Sequence, residues 1–283
     1  METHRKKDYY SGRLNLLKVF VDYINYSKLS LKTISSYRLD FIIGIIGTIL
    51  FNLVNFLAFG VFIYRFNTIA GWTFWELLFL YNIWLLSHSF YATFFRNIQN
   101  VQNYVASGEF DKFLLKPASP LAQIVGSKFY FMGAGDAILA FVMLLICSFN
   151  LKIDWNGVKF IYLFLTLFSA MLIEVSISLI LSSLSFWTTK TEGIFYLIMQ
   201  LNYSIAQKYP LDIYEKYIQF ILTFVIPFSF MNFYPSIFIL DKLDKVPFSP
   251  LLVFAAPLIG FVLFFVATLF WKFGIKNYKS TGS

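Results

Sequence analysis

Cysteine is nearly absent from this chain of 283 residues, since Cys147 is the only one. One cysteine excludes an intrachain disulfide and a metal site built from several thiolates. Histidine is almost as scarce, with only His4 and His88. The sequence also contains no metalloprotease, serine-hydrolase or P-loop motif. We therefore predict that the chain is not itself an enzyme and binds no cofactor of its own.

Charged residues are scarce too, at 13% of the chain, whereas 58% of its residues are hydrophobic and 21% are aromatic. Ordinary soluble domains contain about 25% charged and roughly 45–50% apolar residues. A soluble fold of this size would leave much of the aromatic surface in water, so a soluble domain is excluded. A net charge of +8 is also typical of nucleic-acid-binding proteins. The positions of the charged residues along the chain decide between a nucleic-acid binder and a membrane protein.

Most of the hydrophobic residues lie in seven apolar stretches: 39–64, 74–95, 127–149, 158–184, 193–209, 217–240 and 251–271. These stretches contain few charged residues: Asp40, Glu76, Lys128, Asp136, Lys159, Glu174 and Lys208. About 20 apolar residues in a helix cross the hydrocarbon core of a bilayer. The sequence therefore predicts an all-α integral membrane protein that crosses the cell membrane several times.

The N-terminal segment 1–38 is rich in positive charge: Arg5, Lys6, Lys7, Arg13, Lys18, Lys28, Lys32 and Arg38. It contains no uninterrupted apolar run, so we expect no removable signal peptide and a cytoplasmic N-terminus. The excess of positive charge is then explained by the cytoplasmic location of this segment. We therefore expect no nucleic-acid partner. Residues 14–36 are amphipathic and predict a helix lying in the membrane interface. A helix packed on a soluble partner is the alternative.

From residue 39 to residue 283 we predict a single transmembrane domain with six spans: 39–64, 74–95, 127–149, 158–184, 190–209 and 251–271. Segment 213–247 contains Pro227 and Pro235, which interrupt helical hydrogen bonding, and we interpret it as a re-entrant pair of short helices before the last span. A full seventh crossing is the alternative. The six-span layout makes loop 96–126 and both termini cytoplasmic.

Several short motifs resemble those of a known family. They are Tyr37-Arg38-Leu39-Asp40-Phe41 at the first span, Gly108-x-Phe110-Asp111-x-x-Leu114-Leu115-Lys116-Pro117 in loop 96–126, and Tyr209-Pro210, Pro227-Phe228 and Tyr234-Pro235 near the end. On these residues the chain resembles the six-span permease subunits of bacterial ABC-type exporters, in particular the group with two different permeases per ATPase. The resemblance covers nearly the whole chain, and the loop motif is its most specific part.

The resemblance implies an N-terminal elbow helix, a coupling helix after the second span and re-entrant helices between the fifth and sixth. It also implies two partners: a cytoplasmic ABC ATPase in two copies, which binds ATP and magnesium, and a second, non-identical permease. The implied coupling residues are Glu109, Phe110, Asp111, Phe113, Leu114, Lys116 and Pro117. We expect an exposed apolar patch on this loop, formed by Phe110, Phe113, Leu114 and Leu115, and such a patch indicates a protein contact. A plain solvated linker is the alternative.

Two carboxylates fall deep inside predicted spans, Asp136 and Glu174. Buried carboxylates are costly and face partners or water-filled paths, so both are candidates for lining a translocation path. The alternative is hydrogen bonding between helices, with Gly133 and Gly135 allowing close approach near Asp136. His88 is interpreted as a contact between helices. An ion-gradient-driven secondary transporter that uses the two carboxylates is the alternative function.

Aromatic residues near the span ends are typical of interfacial belts. We interpret five of them in this way: Tyr64, Trp72, Trp75, Trp155 and Trp271.

Overall fold

The computed structural model describes residues 21–27, 38–66, 68–188 and 191–280. Every regular element in these ranges is helical, apart from an isolated bridge between Ile69 and Trp72. The predicted all-α class is confirmed. The basic residues before position 21 and most of the predicted interfacial helix 14–36 lie outside the described residues.

The α-helices in chain order are α1 (residues 21–27), α2 (Arg38–Phe66), α3 (Phe74–Phe94), α4 (Val101–Ala106), α5 (Phe110–Leu114), α6 (Pro120–Ser127), α7 (Met132–Asn150), α8 (Gly157–Ser183), α9 (Glu192–Leu201), α10 (Lys216–Phe220), α11 (Phe233–Ile239) and α12 (Leu251–Asn277). Short 3₁₀ segments include Arg96–Asn100 and Leu184–Phe186, and π-turns extend α9 over Asn202–Ala206 and α10 over Ile221–Val225.

Three helical segments in the described part are long and apolar enough to cross a membrane: Gly133–Asn150, Gly157–Phe186 and Leu251–Asn277. They coincide with the third, fourth and sixth predicted spans. Shorter apolar helices cover Ile42–Leu57 and Lys216–Val225. The chain is therefore a helical membrane protein, and the total of six crossings stays a prediction.

The two ends of helix α3 mark the two ends of the helical bundle. It begins beside Trp72 and ends beside Arg96. We call the end with residues 96–127 the loop side, and the end with Trp72 and residues 240–246 the cap side. On the loop side, α1 packs against the end of α3. The Tyr23 ring of α1 stacks on the Phe95 ring, with centroids 6.4 Å apart.

The third predicted span begins later than the hydropathy indicated. Residues 128–131 are not helical, and α7 begins only at Met132. The backbone N–H of Tyr130 donates to the carbonyl of Thr93 at 3.1 Å, which ties this segment to the end of α3. The Lys128 ammonium lies 5.0 Å from the centre of the Tyr130 ring. Hydropathy could not separate these non-helical residues from the helix that follows them.

Two glycines allow α7 to approach its neighbours closely. A Cβ atom at Gly133 would overlap Ser89 and Thr93 on α3, and one at Gly135 would overlap Thr48 on α2. The predicted close approach near Asp136 is therefore confirmed.

The proline-containing segment before the last helix is broken as predicted. The chain leaves helical geometry at Ile226, directly before Pro227. The hydroxyl of Ser229 then donates to the carbonyl of Leu222 at 2.8 Å. Pro235 does not break a helix, because it lies in the first turn of α11, where its missing N–H leaves no bond unmade.

Helices α8 and α12 form an extensive contact in which side chains of α8 bond to the backbone of α12. Pro257 lies inside α12 and cannot donate to the carbonyl four residues earlier, that of Val253. The Tyr162 hydroxyl donates to this carbonyl instead, at 2.7 Å. The long helix therefore continues through its proline.

A second contact between these helices places a hydroxyl inside the backbone ladder of α12. Ser169 Oγ donates to the carbonyl of Ala256 at 2.7 Å and accepts from the N–H of Gly260 at 2.9 Å. Such an approach requires a residue without a Cβ, because a Cβ at Gly260 would overlap the backbone of Ser169. The two helices are thus fixed in register.

Candidate functional site

Loop 96–126 is folded onto the bundle through Phe110. This side chain is fully buried. Its ring centroid lies 5.1 Å from that of Phe186, 6.1 Å from Trp271 and 5.0 Å from Tyr278. The expectation that Phe110 is exposed for a partner is wrong, because the protein's own C-terminal helix supplies the aromatic contact. Trp271 is buried in this cluster, so its assignment to an interfacial belt is wrong as well.

The remaining residues of the predicted coupling segment divide into two groups. Phe113 and Leu114 are half-buried, and the Phe113 ring lies 5.1 Å from Tyr104. The exposed residues are Glu109, Lys112, Leu115, Lys116 and Pro117. Among them Leu115 is 83% exposed, and Lys112 bonds to Glu109 at 2.7 Å. The surface available to a partner is therefore smaller and more polar than the sequence predicted.

Asp111 ties the same loop to the C-terminal segment. Its carboxylate accepts a bond from the hydroxyl of Ser280 at 2.6 Å. Burial raises the pKa of the Tyr278 phenol, and the neighbouring Asp111 carboxylate raises it further. The phenol therefore stays protonated near neutral pH.

Asp136 is held by an amide on a neighbouring helix. Asn52 Nδ2 donates to Asp136 Oδ1 at 2.8 Å, and the Tyr81 hydroxyl donates to Asn52 Oδ1 at 2.8 Å. These three side chains join α7, α2 and α3. Asp136 thus has a hydrogen-bonding role, and its predicted role in lining a path stays a prediction.

Glu174 and His88 form a buried pair between α8 and α3. Glu174 is fully buried and lies 2.9 Å and 3.0 Å from His88 Nδ1 through its two oxygens. The His88 ring stacks on Trp84 with centroids 4.6 Å apart, and the Tyr203 ring meets it edge-on at 5.4 Å. The pair therefore contacts α9 as well, through the π-turn that carries Tyr203. Whether Glu174 lines a path also stays a prediction.

A cavity of about 430 Å³ opens beside this pair on the loop side. Its lining residues come from two segments of the chain: Arg96, Gln99, Gln102, Glu192, Phe195, Tyr196, Met199 and Tyr203. Cavities that hold small ligands typically have volumes of about 300–1,000 Å³. Apart from the position of Arg96 in a loop, no sequence signal marked these residues, because the two segments are about 90 positions apart in the chain.

The cap side carries a charged cluster around Trp72. The indole Nε1–H donates to both oxygens of Asp212, at 3.1 Å and 3.0 Å. The ammonium groups of Lys242 and Lys245 lie 4.8 Å and 5.8 Å from the ring centre, and Lys242 also bonds to Glu76 at 2.8 Å. Trp72 is completely buried here, so its assignment to an interfacial belt is wrong.

No cluster of three or more His, Cys, Asp or Glu side chains that could hold a metal ion occurs within the described residues.

Comparison with known proteins gives one family match. A family model described as ABC-2 family transporter protein matches residues 49–282, which is most of the chain. Searches of curated proteins and of solved structures find no match.

Proposed function

The chain belongs to the ABC-2 transporter family, and from this premise we propose that it is the permease subunit of an ATP-driven exporter. In this proposal the chain forms half of the translocation path. A second, non-identical permease completes the path, and two copies of a cytoplasmic ATPase bind ATP and magnesium. Transport is driven by ATP rather than by an ion gradient.

The observation that carries this proposal is the anchoring of loop 96–126 by Phe110. The loop consists of short helices, and Phe110 connects α5 to the end of α8 and to α12 through aromatic contacts. A displacement of α5 by a partner would therefore be transmitted to two of the long apolar helices. This arrangement supports a coupling element better than a solvated linker, which needs no buried anchor.

The exposed residues beside this anchor are the proposed contact with the ATPase. Leu115 offers an apolar side chain, flanked by the Glu109–Lys112 ion pair. An exposed apolar residue within a polar rim is typical of a small protein interface.

The test is co-purification and transport with a Leu115→Asp variant that also carries Lys112→Glu. We expect the ATPase to be released, or to stay bound without driving transport, because the changes place negative charge on the contact. Membrane insertion should be unchanged, since both side chains are exposed. The matched control is Lys152→Ala with Asp154→Ala on the cap side, which should retain the ATPase and transport.

Wild-type ATPase retention and transport in the loop variant would exclude this surface as the coupling element. Absence of any co-purifying ATPase from the wild-type membrane would contradict the proposed function itself.

A further inference from the structure

The cavity beside the His88–Glu174 pair has two chemically different walls. One wall carries Arg96, Gln99 and Gln102, on the 3₁₀ segment Arg96–Asn100 and on α4. The opposite wall, on α9 and its π-turn, is mainly aromatic and apolar: Phe195, Tyr196, Met199 and Tyr203. A ligand between these walls would meet hydrogen-bonding groups on one side and apolar surface on the other.

The two walls run antiparallel. At one end the Thr191 hydroxyl donates to Gln102 Oε1 at 2.9 Å, which fixes Gln102 beside the start of α9. At the other end Gln99 donates to the Tyr91 hydroxyl at 2.9 Å. The Tyr91 ring lies 5.9 Å from His88, which in turn contacts Tyr203. Gln99 is therefore near the Tyr203 end of the cavity.

This arrangement separates the two charged groups that line the cavity. Arg96 lies toward the Tyr203 end, whereas Glu192 occupies the first turn of α9 at the opposite end. On the opposite wall Arg96 lies six residues before Gln102, which is held beside Thr191, so at a rise of 1.5–2.0 Å per helical residue the two charged ends are about 9–12 Å apart along the chain. Both charged side chains are exposed, and neither forms an ion pair within the described residues, although the Arg96 guanidinium lies 5.5 Å from the centre of the Tyr130 ring. The cavity thus carries a cationic end and an anionic end.

The two glutamines between these ends keep hydrogen-bonding groups for a ligand. Gln99 uses its NH₂ group on Tyr91, which leaves its carbonyl oxygen as an acceptor. Gln102 uses its carbonyl oxygen on Thr191, which leaves its NH₂ group as a donor. One acceptor and one donor match the N–H and C=O groups of a peptide backbone.

We infer that this cavity binds a short apolar peptide with free termini, its carboxylate at Arg96 and its amino group at Glu192. An extended peptide advances about 3.3–3.6 Å per residue, so roughly three residues cover the distance between the two charged ends. The apolar side chains lie against the wall of α9. The inference rests on the proposed function, because it names the class of substrate that the permease would carry.

The test measures binding by calorimetry, using the full-length chain in lipid nanodiscs without ATPase or nucleotide. The probe is a tripeptide of leucine and phenylalanine with free termini. Two comparison peptides have the same sequence, one N-acetylated and one C-amidated. We expect each blocked peptide to bind about tenfold more weakly, because each loses one charge-assisted hydrogen bond.

Two variants assign the termini to the two ends of the cavity. Arg96→Gln should abolish the difference between free and C-amidated peptide while keeping the penalty for acetylation. Glu192→Gln should do the reverse. The control Lys279→Gln changes an exposed cation outside the cavity and should leave all three affinities unchanged.

Equal binding of free and blocked peptides would overturn the inference, as would tight, Arg96-dependent binding of dodecyl phosphate with no binding of the peptide. Because the assay contains no ATPase, its failure leaves the coupling proposal untouched. Conversely, loss of coupling in the loop variant leaves peptide binding unchanged.

Discussion

The Phe110 side chain is buried against other aromatic residues of the same chain, and a single substitution tests how much this contact contributes to stability. Phe110→Ala should lower the free energy of unfolding by about 3 kcal/mol, because it removes a fully buried ring from an aromatic cluster. Thermal unfolding of the purified chain in detergent measures this loss. Leu115→Ala is the matched control in the same loop, and its effect should stay within about 0.5 kcal/mol. An unchanged melting temperature for Phe110→Ala would contradict the anchoring role.

The His88–Glu174 pair makes a second prediction at this scale. His88→Ala should be strongly destabilising, by about 3 kcal/mol or more, because it leaves the fully buried Glu174 without its partner. Adding Glu174→Gln should recover part of this stability, since the amide carries no charge. A thermal-unfolding double-mutant cycle measures the coupling, and additive effects of the two changes would show that the pair contributes nothing.

Asp136 offers a contrast to this pair. Asp136→Asn should be tolerated, because an amide oxygen can accept the bond from Asn52 as the carboxylate does. The structure thus distinguishes a half-buried carboxylate, Asp136, from the fully buried Glu174, although both fall deep inside predicted spans.

At the scale of elements, the packing of α8 against α12 depends on a residue without a side chain. Gly260→Ala should destabilise the chain by about 1–3 kcal/mol, because the new methyl group would overlap the backbone of Ser169. Gly193→Ala on α9 is the control, since a Cβ there meets nothing within 4 Å and replaces glycine by a better helix former. It should leave stability unchanged or slightly raised.

Thermal unfolding of both glycine variants gives the comparison. If Gly260→Ala melts at the same temperature as Gly193→Ala, the close approach of α8 and α12 does not contribute to stability.

The helix boundaries show which ends of helices can be predicted from neighbouring residues alone. The helix before Pro227 ends directly ahead of this residue, because proline has no backbone N–H and its ring clashes with the preceding helical turn. Residues 128–131 were assigned to a span because they continue an apolar stretch. In the folded chain this non-helical segment bonds through the Tyr130 N–H to Thr93, which lies in a distant part of the sequence, and hydropathy does not register such a contact.

At the scale of the whole molecule, the six-span layout predicts that the cap side faces outward and that the C-terminus lies in the cytoplasm. Cysteine labelling in a Cys147→Ala background tests both. Asp244→Cys and Lys279→Cys suit this test, because both side chains are exposed and neither takes part in the Trp72 cluster. A membrane-impermeant reagent added to intact cells should label position 244 and not position 279.

Labelling of both positions from the same side would contradict the six-span layout and favour a seventh crossing. Retention of the ATPase by both variants is the control that the labelled protein is assembled.

The sequence by itself determined the class of this protein and much of its layout. Low charge and long apolar stretches are sufficient to predict a helical membrane protein, because hydropathy depends on composition over about 20 neighbouring residues. The motif around Phe110 and Asp111 also pointed to the permease family to which the chain belongs.

Only the tertiary structure decided what the individual residues do. The burial of Phe110 under the C-terminal helix, the partners of Asp136 and Glu174, and the cavity between Arg96 and Glu192 all join positions far apart in the chain. Such contacts depend on how helices pack against one another, and in a largely apolar chain many packings satisfy the same hydropathy. The few polar and small residues select one of them, and their partners become visible only in the folded molecule.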